Sequence, residues 1–220
     1  MFKKLVLCGL FIMSLSVGTS SFANEPENLS LARQTVINYH DSGEYQKDVV
    51  AALQDAKNYL AQRIADNANK KQKLAIVLDI DDTALNEYDF WFKHDFMWHT
   101  QTMWTEFNTT KFPPIQPTLD LYNYAKDNGV AIFFITGRYE NSRQSTIDAL
   151  QNAGYKDWNV LYMRPDGDKR LALDYKVATR KQIQNSGFDI VLSVSDQASD
   201  LQGGFADHTV KVPNPFYIIP

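Results

Sequence analysis

The sequence predicts an α/β fold in which a parallel sheet is covered by helices on both faces. Three short, uninterrupted apolar runs indicate strands that are buried on both sides, and they cover residues 74–80, 130–135 and 190–194. Helical patterns of about 10 to 15 residues alternate with these runs, as is typical of parallel βαβ units. In such sheets ligands bind at the carboxyl ends of the strands, so the polar residues at those ends are the first candidates for a site.

The composition fits a single folded domain. The 220 residues are 44% hydrophobic and 22% charged, with 10 Gly and 8 Pro. These values exclude the disordered, collagen-like and repeat classes of protein. Aromatic residues, at 13%, are numerous enough for a core and for part of a binding site.

The first 23 residues have the features of a cleaved signal peptide. Lys3 and Lys4 form a basic start, residues 5–17 are mostly apolar, and residues 21–23 form a small-x-small cleavage site. The apolar run is shorter than the roughly 20 residues of a membrane span. We therefore expect a periplasmic or secreted protein of residues 24–220 without a stable membrane anchor. A buried N-terminal helix is the alternative.

Removal of this segment changes the charge and the cysteine content. It contains two lysines and no acidic residue, so the net charge changes from −4 to −6. A net acidic chain is a poor candidate for binding a nucleic acid polymer. The single cysteine, Cys8, lies in the removed segment, so the remaining chain would contain neither a disulfide nor a thiolate metal site.

Helical patterns precede the first strand and fill the gaps between strands. Residues 24–29 form a short lead-in. A polar tract at 66–73 ends the first predicted helix. Apolar residues spaced three or four positions apart indicate this helix: Val49, Leu53, Ala56, Leu60 and Ile64. Pro117 and Gly129 bound the next helix, because Pro favours the start of a helix and Gly the end. Two more helices, over residues 141–152 and 174–185, enclose a weaker strand at 160–162.

One segment interrupts the alternation of strands and helices. Between positions 88 and 112 it contains nine aromatic residues: Tyr88, Phe90, Trp91, Phe92, Phe96, Trp98, Trp104, Phe107 and Phe112. The segment follows directly after the polar end of the first strand. We interpret it as a small cap over the strand ends, an insertion of about residues 84–115.

The first strand ends in the acidic sequence Asp79-Ile80-Asp81-Asp82-Thr83. Three carboxylates at the end of a buried strand are unfavourable unless a cation or phosphate chemistry requires them. An acidic turn or a helix N-cap explains one or two of them, but not an acidic residue that begins inside the apolar run. Because the chain turns after the strand, Asp79 and Asp81 are expected to converge.

The next two long strands also end in polar groups. Thr136, Gly137 and Arg138 offer a hydroxyl, exposed backbone N–H groups and a guanidinium, which together suit a phosphate oxygen. A plain Thr-Gly turn is the alternative. Asp196 and Asp200 form a second acidic cluster, and Mg²⁺ is commonly held by carboxylates, phosphate oxygens and water.

Lys176 and Arg180 lie four residues apart and therefore share one face of a predicted helix. They are candidates for binding a phosphate. A solvated basic face is the alternative for this pair. Lys169 and Arg170, in the preceding loop, compete for the same role.

These four groups, in this order, resemble the four motifs of the haloacid dehalogenase superfamily of phosphatases. Within it the chain is similar to the secreted acid phosphatases of class C, or subfamily IIIB, and to the plant vegetative storage proteins. The resemblance covers nearly all of residues 24–220, including the closing residues 212–217. The chain departs from class C in three respects: Ser195 stands where Gly is usual, no lipobox is present, and the cap is unusually aromatic.

The resemblance implies a Rossmann-like three-layer α/β/α fold and an exported phosphomonoesterase, a hydrolase with Mg²⁺ as cofactor and a small phosphomonoester as substrate. Asp79 would be the nucleophile that forms an aspartyl-phosphate, and Asp81 the general acid and base. The residues implied for phosphate binding are Thr83, Thr136, Gly137, Arg138, Lys176 and Arg180. The residues implied for metal binding are Asp79, Asp81, Asp196 and Asp200, where Asp200 is either a ligand or a neighbour of one.

The aromatic residues just past the nucleophile bear on the substrate. Tyr88, Phe90 or Trp91 would stack on a ring of the substrate, which predicts a preference for nucleoside monophosphates and aryl phosphates. The alternative is that these aromatics form the core of the insertion itself.

Three other functions stay open at this point. A storage or binding protein could use the same fold without catalysis, although Asp79 and Asp81 are both present. A phosphotransferase would pass the phosphoryl group to an alcohol instead of water. A zinc site could form from His94, Asp95 and His99. The oligomeric state, including a homo-oligomer, also stays open.

Overall fold

The computed structural model describes residues 26–219, and a five-stranded sheet forms its centre. The strands are β1 (Lys73–Leu78), β2 (Ala131–Tyr139), β3 (Val160–Arg164), β4 (Phe188–Ser195) and β5 (His208–Lys211). Their order across the sheet is β3-β2-β1-β4-β5, and every neighbouring pair is parallel. Because β1 is central, the ends of β2 and β4 flank the acidic sequence that follows it.

Seven α-helices occur within residues 26–219. They are α1 (Leu29–Asp41), α2 (Glu44–Asp66), α3 (Tyr88–Lys93), α4 (Thr100–Phe107), α5 (Gln116–Asp127), α6 (Arg143–Asn152) and α7 (Ala172–Asn185). Two 3₁₀ turns, Glu140–Ser142 and Ser199–Leu201, follow the ends of β2 and β4. None of these helices combines the length and the apolar character that a membrane crossing requires.

Alternating side chains of the strands pack into two separate cores. In β1, Ile76 and Leu78 belong to the larger core, which also contains buried residues of α2, α5 and α6. Ala75 and Val77 point to the opposite face, where they pack with buried residues of α7. Period-two alternation of this kind lets one apolar run serve both faces of a sheet. The predicted three-layer α/β/α fold is confirmed.

Residues 84–115, which we call the cap segment, leave the sheet after β1 and return before α5. Main-chain hydrogen bonds close its base, from Asn86 N to Pro113 O and from Ile115 N to Ala84 O, both at 2.9 Å. Helices α3 and α4 lie between these points. Their aromatic side chains pack edge to face, for example Phe107 against Phe90 at a centroid distance of 4.9 Å.

Some elements differ from the sequence prediction. A separate helix, α1, covers most of the stretch before the first predicted helix, which itself begins at Glu44. Strand β5 was not predicted, because only Val210 of its four residues is buried and no apolar run marks it. Strand β1 ends at Leu78 and not at Ile80. The predicted signal peptide and Cys8 lie outside the described residues.

Gly203, after β4, allows a stability test of the loop that carries part of the site. Its φ is +80°, and a Cβ atom there would lie 2.3 Å from Cγ2 of Val177 on α7. We expect Gly203→Ala to lower the free energy of unfolding by about 1–2 kcal/mol for the left-handed backbone, plus about 1–3 kcal/mol for overpacking. Urea denaturation of the variant and the wild type measures the sum of the two contributions.

The neighbouring Gly204 supplies the control, since its φ is +77° and no atom lies within 4 Å of an added Cβ. Gly204→Ala should therefore show the backbone contribution alone. Equal losses in the two variants would contradict the clash with Val177.

Candidate active site

Three carboxylates from the ends of two adjacent strands converge in the structure. Asp79 follows β1, and Asp196 and Asp200 follow β4; each of the three offers one oxygen atom that lies within 4.8 Å of the others. All three residues are buried. Among the described residues 26–219, no other group of three or more His, Cys, Asp or Glu residues is this close. This convergence depends on the parallel pairing of β1 with β4. Asp81, which the resemblance also implied as a metal ligand, is not part of the group.

Lys176 reaches this cluster from α7, which covers that end of the sheet. Its Nζ donates to Asp79 Oδ1 at 2.6 Å and to Asp200 Oδ2 at 2.5 Å. Burial alone would lower the pKa of Lys176, but the two carboxylates outweigh burial and raise it. The lysine is therefore a fixed positive charge beside the predicted nucleophile.

The cluster carries more negative than positive charge. Burial raises the pKa of Asp79 well above its usual range; Lys176 opposes this shift, and Asp200 and Asp196 add to it. One ammonium beside three buried carboxylates leaves the group short of positive charge. Carboxylate oxygens are the ligands that Mg²⁺ prefers, so the residues present fit a divalent cation.

Thr83 connects the two strand ends. Its Oγ1 accepts a hydrogen bond from Asp196 N at 2.8 Å and lies 3.3 Å from Asp196 Oδ1 and 3.4 Å from Asp79 Oδ2. The side chain is fully buried and does not line the cavity described below. Thr83, predicted to bind phosphate, holds the two acidic turns together instead.

Arg138 also differs from its predicted role at the phosphate. It is fully buried and donates to Asp81 Oδ1 from Nε at 2.8 Å and from Nη2 at 2.5 Å. Nη2 also donates to Glu87 Oε1 at 3.2 Å. Glu87 was not selected from the sequence, where it resembles an ordinary surface acid at the start of an insertion. The guanidinium is turned toward these two carboxylates because they balance its buried charge.

The protonation of the predicted acid pair follows from these partners. Burial alone would raise the pKa of Asp81, but Arg138 overrides burial and lowers it. The pKa values of Asp79 and Asp81 thus move in opposite directions. The assigned roles require the opposite, an ionised Asp79 as nucleophile and a protonated Asp81 as acid. The raised pKa of Asp79 instead favours its protonated form. A bound cation beside Asp79 and release of Asp81 from Arg138 would restore the expected order.

Of the other residues predicted to bind phosphate, Gly137 lines the cavity, and Thr136 and Arg180 do not. Thr136 is fully buried and its Oγ1 accepts from Arg138 N at 3.1 Å. Arg180 donates to main-chain carbonyls of the loop after β4, including Asp200 O at 2.5 Å. It therefore holds the loop that carries Asp200 and does not line the cavity.

The competing basic residues do not line the cavity either. Arg170 pairs with Asp168 at 2.6 Å and is half exposed. Lys169 is exposed. Of the four cations considered, only Lys176 faces the carboxylate cluster.

A cavity of about 530 Å³ lies between the carboxylates and the cap segment. Asp79, Asp81, Lys176, Asp196 and Asp200 line one side of it. The other side is mostly apolar and aromatic, and it includes Trp98, Met103, Trp104, Phe107, Tyr139 and Tyr217. Arg164, at the end of β3, contributes a further cation to the lining. The cavity can therefore take an anionic group at one end and a ring at the other.

The three aromatics predicted to stack on the substrate are not part of this lining. Tyr88, Phe90 and Trp91 are only 7%, 4% and 1% exposed, because α3 turns its aromatic face into the protein. Trp91 Nε1 donates to Asp82 Oδ2 at 2.7 Å, which anchors α3 to the turn after β1. The cap aromatics that do line the cavity, Trp98, Trp104 and Phe107, come from α4 and its approach instead. Composition indicated an aromatic cap, but not which of its helices faces the site.

The alternative zinc site is not formed. His94 Nε2 lies 3.0 Å from Glu106 Oε1, within the cap segment. Within residues 26–219, His94, Asp95 and His99 do not form a cluster with metal-binding spacing.

Two side-chain amides at the site were not selected from the sequence. Gln197 and Asn214 both donate to Asp196 Oδ2. Asn214 lies in the sequence Pro213-Asn214-Pro215, and this pattern was the only available signal for it. Gln197 follows Asp196 directly and had no signal of its own.

Comparison with solved structures gives the same fold. The class C acid phosphatase from Bacillus anthracis superposes with a TM-score of 0.67 at 20% identity, covering 86% of this chain and 85% of that chain. The structure of the class C acid phosphatase from the same organism with tungstate bound gives 0.69 at 20% identity and covers 86% of each chain.

Plant proteins are similar in sequence. Acid phosphatase 1 from Solanum lycopersicum is 33% identical over 150 residues, which cover 65% of this chain and 58% of that protein. The stem 28 kDa glycoprotein from Glycine max is 31% identical over 188 residues, or 82% and 72% of the two chains. Vegetative storage protein 1 from Arabidopsis thaliana is 27% identical over 149 residues, or 66% and 55%. The chain thus spans little more than half the length of two of these relatives.

The family assignment comes from a match over almost the whole sequence. Residues 9–220 match the family model described as HAD superfamily, subfamily IIIB (Acid phosphatase). The resemblance inferred from the four motifs is confirmed. The chain belongs to the subfamily IIIB acid phosphatases of the HAD superfamily, a family of phosphomonoester hydrolases.

Proposed function

We propose that this protein is a Mg²⁺-dependent acid phosphatase that hydrolyses small phosphomonoesters through an aspartyl-phosphate on Asp79. The convergence of Asp79, Asp196 and Asp200 around Lys176, at one end of a cavity, carries the proposal. Phosphoryl transfer depends chiefly on positioning and on neutralising charge, and this cluster supplies both.

Asp79 makes the first bond. One of its carboxylate oxygens attacks phosphorus while the bond from phosphorus to the leaving oxygen breaks. Lys176, already 2.6 Å from Asp79, offsets the repulsion between the carboxylate and the phosphoryl oxygens. When bound by Asp79, Asp196 and Asp200, Mg²⁺ supplies further positive charge for those oxygens.

Asp81 carries the protons. It lies two residues beyond Asp79 and lines the same cavity. In its protonated form it gives its proton to the leaving oxygen. As a carboxylate it then takes a proton from the water that attacks phosphorus and breaks the bond to Asp79. Arg138 has to release Asp81 for this cycle, since their ion pair favours the carboxylate.

The aromatic lining of the cavity supports phosphomonoesters that carry a ring as substrates. Trp98, Trp104 and Tyr217 line the same cavity as the carboxylates, so they would be available to contact a nucleoside or aryl group on a phosphate bound there. We include nucleoside monophosphates and aryl phosphates in the proposal for this reason. The cap segment would cover the substrate, because its residues Trp98, Trp104 and Phe107 line the cavity.

A storage role is the second candidate. The name of the Arabidopsis thaliana relative, vegetative storage protein 1, favours it. The presence of the full carboxylate cluster and of Lys176 favours catalysis. Export through a signal peptide over residues 1–23, to the periplasm or the medium, is part of the proposal and rests on the sequence pattern.

Removal of the metal should abolish activity reversibly. A site with three carboxylates exposed to a cavity should release Mg²⁺ to a chelator. We expect hydrolysis of p-nitrophenyl phosphate to stop after dialysis against EDTA and to return when Mg²⁺ is added. Full activity after exhaustive chelation would contradict the assignment of the metal.

Substitution of the two predicted acids should separate their roles. Asp79→Asn removes the nucleophile and should abolish turnover, while thermal unfolding shows that the fold persists. Asp81→Asn should lower kcat by about 10²–10⁴-fold for alkyl phosphates. The loss should be smaller for p-nitrophenyl phosphate, because its leaving group needs little protonation.

Asp89→Asn is the matched control, since Asp89 is exposed and lies outside the cavity. It should keep the activity of the wild type. An active Asp79→Asn variant would exclude the covalent mechanism.

The aromatic side of the cavity should determine substrate preference. We expect Trp104→Ala to reduce kcat/KM for AMP by about 10- to 100-fold, the usual value of one base-stacking contact. Its kcat/KM for glycerol 2-phosphate should change little. Phe92→Ala, at an exposed position outside the cavity, is the control. A parallel loss for both substrates would show that Trp104 only supports the fold.

A further inference from the structure

Residues 212–219, which we call the closing segment, lie against the carboxylate of Asp196. Asn214 Nδ2 donates to Asp196 Oδ2 at 2.6 Å. Gln197 Nε2 donates to the same oxygen, also at 2.6 Å. Two short hydrogen bonds from neutral donors therefore meet on one oxygen of a buried carboxylate.

Main-chain groups of the closing segment fix the orientation of both amides. Asn214 Oδ1 accepts from Phe216 N at 2.8 Å, and Gln197 Oε1 accepts from Ile219 N at 2.8 Å. Because each amide oxygen faces a backbone N–H, each NH₂ group has to face Asp196. A flipped amide would place its oxygen against the Asp196 oxygen and its NH₂ group against the backbone N–H, so both hydrogen bonds would be lost.

This arrangement leaves the other oxygen of Asp196 open to a cation. Oδ1 has only long contacts with hydroxyl groups, 3.3 Å from Thr83 Oγ1 and 3.4 Å from Ser195 Oγ. Thr83 Oγ1 lies 3.4 Å from Asp79 Oδ2 as well, so Oδ1 is on the side of Asp79. The donors on Oδ2 prevent the carboxylate from rotating away from that position.

Packing keeps the closing segment in place. The ring of Tyr217 lies 4.6 Å from that of Trp91 in the cap segment, and Phe216 is buried. At its far end Ser199 Oγ donates to Ile219 O at 2.8 Å. The segment thus joins the cap segment to the loop after β4.

We propose that the closing segment is a positioning element of the metal site, which holds Asp196 through Asn214 and Gln197 so that Oδ1 faces a divalent cation. The inference rests on the proposed function, since it requires Asp196 to bind Mg²⁺. Substitution of a residue that hydrogen-bonds to a metal ligand typically weakens metal affinity by about 10- to 100-fold. Such a residue acts through the orientation of the metal ligand.

Two nearly isosteric variants test this role, Asn214→Leu and Gln197→Met. We expect each to raise the Kd for Mg²⁺, measured by calorimetry, by about 10-fold or more. The rise in Tm on addition of a fixed Mg²⁺ concentration should shrink in parallel. With p-nitrophenyl phosphate at saturating Mg²⁺, KM should stay near the value of the wild type and most of kcat should return.

Ser199→Ala is the matched control. It loses a contact with the closing segment but none with Asp196. Its Kd for Mg²⁺ should stay within about 2-fold of that of the wild type, well below the effect expected for a partner of a metal ligand.

The outcomes separate this inference from the proposed function. An unchanged Kd in Asn214→Leu would overturn the inference, and so would an equal weakening in Ser199→Ala, which would mean that the segment acts by packing alone. If Asn214→Leu does not fold, Gln197→Met decides, because Gln197 lies outside the closing segment. Failure of the wild-type protein to bind Mg²⁺ would overturn the proposed function instead.

Discussion

Five carboxyl groups are buried where β1 and β4 end, and the surrounding structure has to compensate their charge. They are Asp79, Asp82, Glu87, Asp196 and Asp200. A buried carboxylate without a partner costs several kcal/mol, so each of them needs a cation or well-placed donors. Lys176 serves two of them, and Arg138 serves Glu87 together with the partly exposed Asp81. Asp82 and Asp196 are served by neutral donors alone.

This requirement explains why several motif residues face one another and not the cavity. Thr83, Arg138 and Arg180 each hold a carboxylate or the loop that bears one. Their hydrogen bonds leave Lys176 and the acids themselves to meet the substrate. The cap segment is joined to the same network, because Asp82 accepts from Trp91. Displacement of the cap would therefore remove a hydrogen-bond donor from the buried carboxyl group of Asp82.

Features that are local in the sequence could be predicted, and features that depend on distant partners could not. The apolar runs indicated the strands, and Asp79 and Asp196 indicated the site, because parallel strands bring their carboxyl ends together. Glu87 had no signal, since its partner Arg138 lies 51 residues away. The sequence also did not show which face of α3 is buried, because tertiary contacts decide how Trp91 packs. The edge strand β5 lacks an apolar run altogether.

The hydrogen bonds that close the site join residues that are far apart in the chain. Lys176 and Asp79 are separated by 97 positions, and Thr83 and Asp196 by 113. Contacts over such distances form late and slowly, since the entropy of closing the loop is lost before pairing rewards it. A chain that has paired only β1 with β2 has no Asp196 beside Asp79. Turnover in a refolding mixture therefore counts only the molecules in which β4 has paired with β1 and α7 has brought Lys176 to Asp79.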